Sequence, residues 1–256
     1  MAIEDWARDH WEEDGGDAFV AFWVFGDLGT ELAISPDRHR VTGMPEGVEI
    51  RRLTRGTPDG DEAFRGFTDP SEVLGRMLDE NPELAREVRG AKSVMRVVGT
   101  VADPEDLLYL RSTIGIVQAM LEAGAVGVMD QAMHWWSAET WASEMFEPDE
   151  PSFTSLVSIL GSEDEENEGR IWIHTRGMRL FGRPDLSVRG VTAETQPIVA
   201  DLVMRFVNMQ AMGGVIPDGQ PVKMKGIPAG WVCTHEGDVE DPDFNNVHVA
   251  IGPPRQ

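Results

Sequence analysis

The chain has 256 residues, with 45 acids against 22 bases and a formal charge of −23, so it is long enough to bury a sizeable core and carries a field that repels phosphate backbones and anionic lipid. Nucleic acid and membrane surfaces are thereby disfavoured as partners, and a cationic protein is favoured. The single cysteine, Cys233, excludes an internal disulfide and fits a reducing compartment, the cytoplasm.

Ala18 to Phe25 is a continuous apolar run rich in aromatic and β-branched side chains, which predicts a buried strand. The alternating stretches 31–35 and 47–51 predict two neighbouring strands, and the charged, glycine-containing segment 54–67 predicts a loop. Asp69-Pro70 and Asn81-Pro82 each open a short helix, the second ending near Gly90. Residues 93–102 predict a central strand. Asp103 as N-cap with Pro104 behind it then opens a helix that stops at Gly124, burying Leu107, Leu110, Ile114, Val117 and Leu121 on one face. A strand follows at 125–129, so 93–129 reads as a strand, helix, strand crossover if its strands are parallel.

Ser137 caps a helix through about Phe146, and Pro148 and Pro151 mark a boundary. A hairpin is expected to pair 153–160 with 170–175, leaving the acidic run 162–169 as its exposed connection, followed by a strand at 186–191. Thr192 or Thr195 caps a helix to Met212 with Ile198, Leu202, Phe206 and Met209 inward; strands at 222–225, 230–235 and 247–251 close the inventory. This is an α+β fold of mixed β-sheets with packed helices, in two similar-sized α/β layers or subdomains, 1–150 and 151–256, or in one integrated domain.

The charge is a property of the body. Residues 1–17 hold seven acids and one base, and 162–169 five acids and no base, but outside both runs 33 acids still face 21 bases, a net of −12. Acids stand near Met1 where an export signal carries bases, and no run of about 18 apolar residues occurs, so neither export nor membrane spanning is expected.

The segment Ile173-His-Thr-Arg-Gly-Met-Arg-Leu-Phe-Gly-Arg-Pro-Asp-Leu-Ser-Val188 resembles the T-x-G-hydrophobic-x-x-F-G-x-P-E-L-x-V signature of the DUF4261 family, bacterial proteins of unknown function, with Asp185 where that signature has Glu. The resemblance extends over residues 93–252 in the order of elements. It implies no assigned catalytic residues, and it implies an immunity-type role, since some relatives stand beside secreted toxins. On physical grounds the segment is a structural corner between two strands: Gly177, Gly182 and Pro184 shape turns and Phe181 pins them to the core.

Two polar constellations are candidates for binding. Asp130, His134, Trp135 and Trp136 follow a strand end and combine a carboxylate, an imidazole and two indoles, a set suited to a cationic or planar ligand; the competing reading has both indoles sealing the sheet. His174 and Arg176 share one strand face with Trp172. A metal site would need His235 beside His174 with Asp130 or Asp185 near, and no ligand spacing supports it, so neither a metal nor a cofactor is expected. Cys233 and His235 lack a third group, and Cys233 reads as a buried, inert thiol.

With no nucleotide loop, nucleophile elbow or zinc spacing present, the sequence predicts a non-catalytic protein-binding protein, an immunity-type or regulatory partner of a cationic protein. One alternative is an enzyme acting on a small polar substrate through Asp130, His134, His174, Arg176 and His235. The other is a structural subunit of an assembly that makes contacts through Trp6, Trp11 and 18–25.

Overall fold

In the computed structural model, which describes residues 6–13, 15–29, 32–150 and 152–254, helices and two five-stranded sheets give an α+β fold. The chain forms two compact units. One comprises the residues up to Ala7, Phe19–Ala102 and Asp106–Ser152; the other comprises Arg8–Ala18, Asp103–Glu105 and the chain from Phe153 onward. Glu4, Asp5, Asp14, Glu31 and Pro151, which figure in the sequence reading, lie outside the described residues.

The first unit is organised by β1, Ala18–Gly26, which lies in the middle of its sheet as an apolar run of that kind must if both faces are to be covered. Next to it lie β3, Ser93–Val101, paired outward with β2, Val48–Thr54, and on the other side β4, Ala125–Asp130, paired outward with β5, Trp135–Ser137. β3 and β4 are thus not neighbours, because β1 lies between them. The strand expected at 31–35 is absent: residues 32–35 are irregular and Ser35 caps the short α1, Pro36–His39.

The segment 54–67, expected as a loop, contains α2, Pro58–Thr68. Thr57 accepts the Gly60 N–H at 3.2 Å, Pro58 and Asp59 occupy the first turn, and Phe64 is buried. Gly60 is there for space rather than to break the helix, since a Cβ would stand 1.9 Å from the Thr54 carbonyl oxygen. α3, Val73–Leu78, starts later than the expected Asp69-Pro70 opening, because Asp69 ends α2 and its carboxylate accepts from Ser71, whereas α4, Pro82–Gly90, follows as expected with Asn81 capping it through the Leu84 N–H. Against Phe25, Phe64, Leu78, Leu84, Val88 and Met129 they form one apolar core.

α5, Leu108–Glu122, begins well after the expected Asp103 cap. The Leu107 N–H bonds the Trp6 carbonyl at 2.8 Å, Asp106 bridges to Ala7 and accepts the Leu108 N–H, and Pro104 offers its carbonyl to Arg8, so 103–107 is held out of helical geometry. Tyr109 through Leu121 are all buried, not one face only. Small residues make that possible: Gly115 lies under α1, where a Cβ would stand 1.9 Å from the His39 carbonyl oxygen, and Ser112 bonds Thr42. After α6, Ala138–Trp141, capped by a Ser137–Thr140 box, a π-helical turn continues to Phe146.

In the second unit, α7, Phe153–Leu156, takes the start of the expected hairpin strand. The sheet order is β6, Ser158–Glu163; β7, Ile171–Arg176; β8, Asp185–Val191; β10, His248–Gly252; and β9, Val232–Glu236. β8 and β10 are parallel and the other pairs antiparallel. The strand expected at 222–225 is absent; the residue before it, Pro221, makes an isolated bridge to Val232. α8, Gln196–Ala211, packs on β7 and β8. Its buried stripe is rotated from the expected one: Val199, Leu202, Val203, Val207 and Ala211 are buried, while Ile198, Phe206 and Met209 are half-buried. No helix among the described residues is long and apolar enough to cross a membrane.

Candidate functional site

Asp130, His134, Trp135 and Trp136 sit together in the first unit at the tight turn from β4 to β5. The buried Asp130 carboxylate accepts the His134 N–H at 2.9 Å, faces the His134 ring nitrogen Nδ1 at 3.2 Å and accepts the Trp136 indole N–H at 2.9 Å. Met133 turns the chain with φ 68°. Trp135 is directed to the other side, donating to the Leu74 carbonyl at 3.1 Å and packing on Phe25 and Phe67. The Asp130 carboxylate and both indole N–H groups are spent on the turn and on the cover of the sheet.

His174, Arg176 and Asp185 belong to the second unit. The Asp185 carboxylate is wholly buried and accepts three hydrogen bonds: from the Thr175 hydroxyl at 2.8 Å, the Asn246 amide at 2.9 Å and the Met178 N–H at 3.3 Å. Burial pushes its acid up to about 7 even though these donors favour the carboxylate. Around it the corner 177–184 folds as a single 3₁₀ turn, Met178–Phe181, between Gly177 at φ 117° and Gly182 at φ 64°. The buried Arg183 donates to the carbonyls of Gly182, Gly213 and Gly214, and the buried Arg8 donates to those of Pro104, Phe181, Gln210 and Ala211. Two guanidiniums thereby satisfy the carbonyls that end α8 and shape the corner.

Strand alternation sorts the second sheet into two faces. Ile173, Thr175, Leu186, Val188, Val249, Ile251 and Cys233 are buried on one face; burial raises the Cys233 thiol to about 11, leaving it protonated. Trp172, His174, Ser187, Arg189, Thr234, Glu236, His248 and Ala250 stand on the other, in rows set by the register His174, Ser187, Ala250, Thr234. Apart from His174, those side chains line the floor of a groove of about 600 Å³. One wall is the 164–170 turn, which brings Glu166 and Asn167; the other is the 237–247 loop, which brings Asp241, Asp243 and Phe244.

The acidic turn is not simply an exposed connection. Asp164 is 1% exposed and accepts from the Gly190 N–H at 2.6 Å, the Asn167 amide at 2.9 Å, the Arg189 guanidinium at 3.0 Å and the Glu166 N–H at 3.1 Å. Burial works to raise this carboxyl, but those donors outweigh it and hold it below the usual range. Arg189 lies over the Trp172 ring at 4.2 Å and pairs with Glu166 at 3.3 Å.

The opposite wall is hung on the residues the sequence singled out. Arg176 donates to the Asp243 carbonyl and Arg179 to the Asn245 carbonyl, while Asn246 holds both Asp185 and the Arg183 carbonyl. Phe244 stacks on His248 at 4.3 Å and meets the edges of Trp172 and His174 at 5.9 Å each. His174 stacks on Trp172 at 3.8 Å, and burial, aided by the Arg176 charge, lowers it to about 4, so it is neutral at neutral pH.

His174, Arg176 and Asp185 are therefore brought together as anchors of the groove's wall and floor, whereas Asp130, His134, Trp135 and Trp136 fall in the other unit. His235 lies on the face opposite the groove, is exposed, and contacts the Ile216 carbonyl oxygen through Nε2 at 2.7 Å. The lining residues that sequence reasoning missed, Ser187, Arg189, Trp231, Glu236, Asp241, Phe244 and His248, carry only a weak signal there: alternation in β8 and β10, and an acid-rich loop beside an aromatic. Among the described residues no group of three His, Cys, Asp or Glu side chains is placed to hold a metal ion. Comparison with protein-family models, with curated proteins and with solved structures finds no match to this chain.

Proposed function

We propose that the chain is a cytoplasmic binding protein for a cationic protein, acting without catalysis in an immunity-type or regulatory role. One observation carries this reading: a body of strongly negative charge bears a preformed groove lined by Glu166, Glu236, Asp241 and Asp243, with Arg189 the one guanidinium among its described lining residues. The groove is lined largely by polar and charged side chains beside Trp172, Trp231 and Phe244, and its charge selects a cation and speeds capture. The resemblance of 173–188 to the DUF4261 signature supports the immunity-type role, and the signature's residues here serve as the corner that supports the groove.

An enzyme built on Asp130, His134, His174, Arg176 and His235 needs three of them in one pocket, and none of the five lines the groove. Pull-down from the source organism's lysate, at low and moderate salt, followed by measurement of the purified pair's affinity, tests the proposal. A basic protein that binds the purified chain, more weakly as salt rises, is the expected result; a partner that is acidic, or binding that salt does not weaken, would overturn it.

A further inference from the structure

Building on the cationic-partner reading, we infer that β6 is the docking edge of the second sheet, to which the partner adds an extended basic segment as a further strand. β6 is an outermost strand in the order β6-β7-β8-β10-β9. Its register with β7 runs unbroken from Ser158 opposite Arg176 to Glu163 opposite Ile171. Just beyond it the Asp164 N–H bonds the Arg170 carbonyl at 3.0 Å. Antiparallel alternation then turns the N–H and C=O of Ser158, Leu160 and Ser162 towards β7 and those of Ile159, Gly161 and Glu163 outward. Among the described residues no group hydrogen-bonds to that outward row.

The two edges of this sheet contrast. Beyond β9 the chain closes the edge itself: the Gly219 N–H bonds the Cys233 carbonyl at 2.8 Å, the Cys233 N–H the Gln220 carbonyl at 2.9 Å and the Val222 N–H the Trp231 carbonyl at 2.9 Å. β6 has no such cover among the described residues, and its sequence has no proline, lysine or arginine and its pairing no bulge, the usual devices that keep an edge from pairing. It is exposed from Leu160 to Glu163, and a Cβ added at Gly161 would meet only the Ile171 side chain, at 3.8 Å, so the middle of the edge is unobstructed. Strand addition supplies the missing hydrogen bonds of such a row.

Charge selects the occupant. The hairpin 158–170 holds five acids against Arg170. Asp164 and Glu166 pair with Arg189, whereas Glu163, Glu165 and Glu168 are exposed and make no ion pair among the described residues. Ile159 and Leu160 make the other end of the edge apolar. The strand that fits therefore sets lysine or arginine against 163–168 and apolar side chains against 159–160. Leu160 and Ser162 share the face of His174 and Trp172, their partners in register, so an added strand continues the sheet beside the groove.

The test uses a blocked hexapeptide of alternating valine and lysine. Wild-type chain is expected to bind it, with hydrogen exchange of the Ile159, Gly161 and Glu163 amides slowed at least about tenfold and that of Ser158, Leu160 and Ser162 changed less. Gly161→Pro removes an outward N–H at an edge position, where proline is tolerated, and is expected to bind about tenfold more weakly. E163Q/E165Q/E168Q is expected to flatten the salt dependence of binding, and E139Q/E144Q, exposed positions of the first unit, to leave affinity unchanged. Circular dichroism of each variant reports that the fold is kept.

Unchanged exchange of the three outward amides in the saturated wild-type complex would overturn the edge as the site, with no variant involved. So would full binding of the same peptide with its two central backbone nitrogens methylated, which interrupts both of its edges. A valine–glutamate peptide bound as well would overturn the basic occupant. If the wild type captures a basic protein while the outward amides of β6 stay unprotected, this inference fails and the cationic-partner reading stands. If no basic protein binds, both fail.

Discussion

Asp130 in the first unit and Asp185 in the second are both nearly inaccessible carboxylates, 2% and 0% exposed, and both accept three hydrogen bonds or close polar contacts. They differ in reach. Asp130 finds every partner within six residues, at His134 and Trp136, and so closes one turn. Asp185 spans 61 residues to Asn246 as well as its own corner, and so ties two loops and the floor of the groove. A carboxylate with local partners shapes an element; one with distant partners shapes a site.

The largest effect expected from breaking this contrast is at Asp185. Asp185→Ala leaves the Thr175 hydroxyl, the Met178 N–H and the Asn246 amide without their acceptor, all in buried surroundings, at a cost of roughly 4 kcal/mol at mildly acid pH. Chemical denaturation checks the loss, and affinity for a basic partner protein should fall with it, because the 237–247 wall loses its anchor. Asp130→Ala should cost about 2 kcal/mol, since the half-exposed His134 ring can turn to water, and should leave the groove's affinity intact. Equal effects of both substitutions on affinity would erase the distinction.

A second effect concerns pH. The acid of Asp185 is raised to about 7 from 3.8, so the folded chain keeps a proton that the unfolded chain has lost between those values. Its contribution to stability is therefore full below about pH 4, falls as pH rises to about 7 and is constant above. His174, lowered from 6.5 to about 4, acts in the opposite sense: its contribution is full above about pH 6.5 and falls as the solution is acidified towards 4. Asp185→Asn mimics the protonated acid, so its melting temperature relative to wild type should climb between about pH 4 and 7. A constant difference across that range would contradict the burial argument.

Smaller effects separate members of the acidic turn. Asp164→Asn should cost about 2 kcal/mol by weakening the hold on Gly190, Arg189 and the Glu166 amide. Glu165→Gln and Glu168→Gln, both exposed, should each change stability by less than about 0.5 kcal/mol. Melting curves of the three variants measure the contrast directly.

The same distinction between local and distant partners explains what was legible in the sequence. The strand at 18–25, the Asn81-Pro82 cap and the Ser137 cap rest on residues a few positions apart, and each appears where the pattern places it. The Asp103-Pro104 cap misleads because distant groups at Trp6 and Arg8 take the backbone of 103–107. The 54–67 segment misleads because Gly60 and Pro58 read as breakers, whereas one answers a close approach to Thr54 and the other opens α2. Of the site, β-strand alternation gives Trp172, His174 and Arg176 as one face, but their meeting with Glu236, Asp241 and Phe244 depends on the parallel β8–β10 pairing. Nothing in the spacing of those residues records that pairing.

Amide shift mapping of the labelled chain with the basic protein it captures tests the central claim most directly. Saturable shifts clustered on Thr234, Glu236, Asp241, Phe244 and Ala250, together with the Trp231 indole, are the result this account predicts. Shifts clustered in the first unit, or scattered over the acidic surface without saturation, would contradict it.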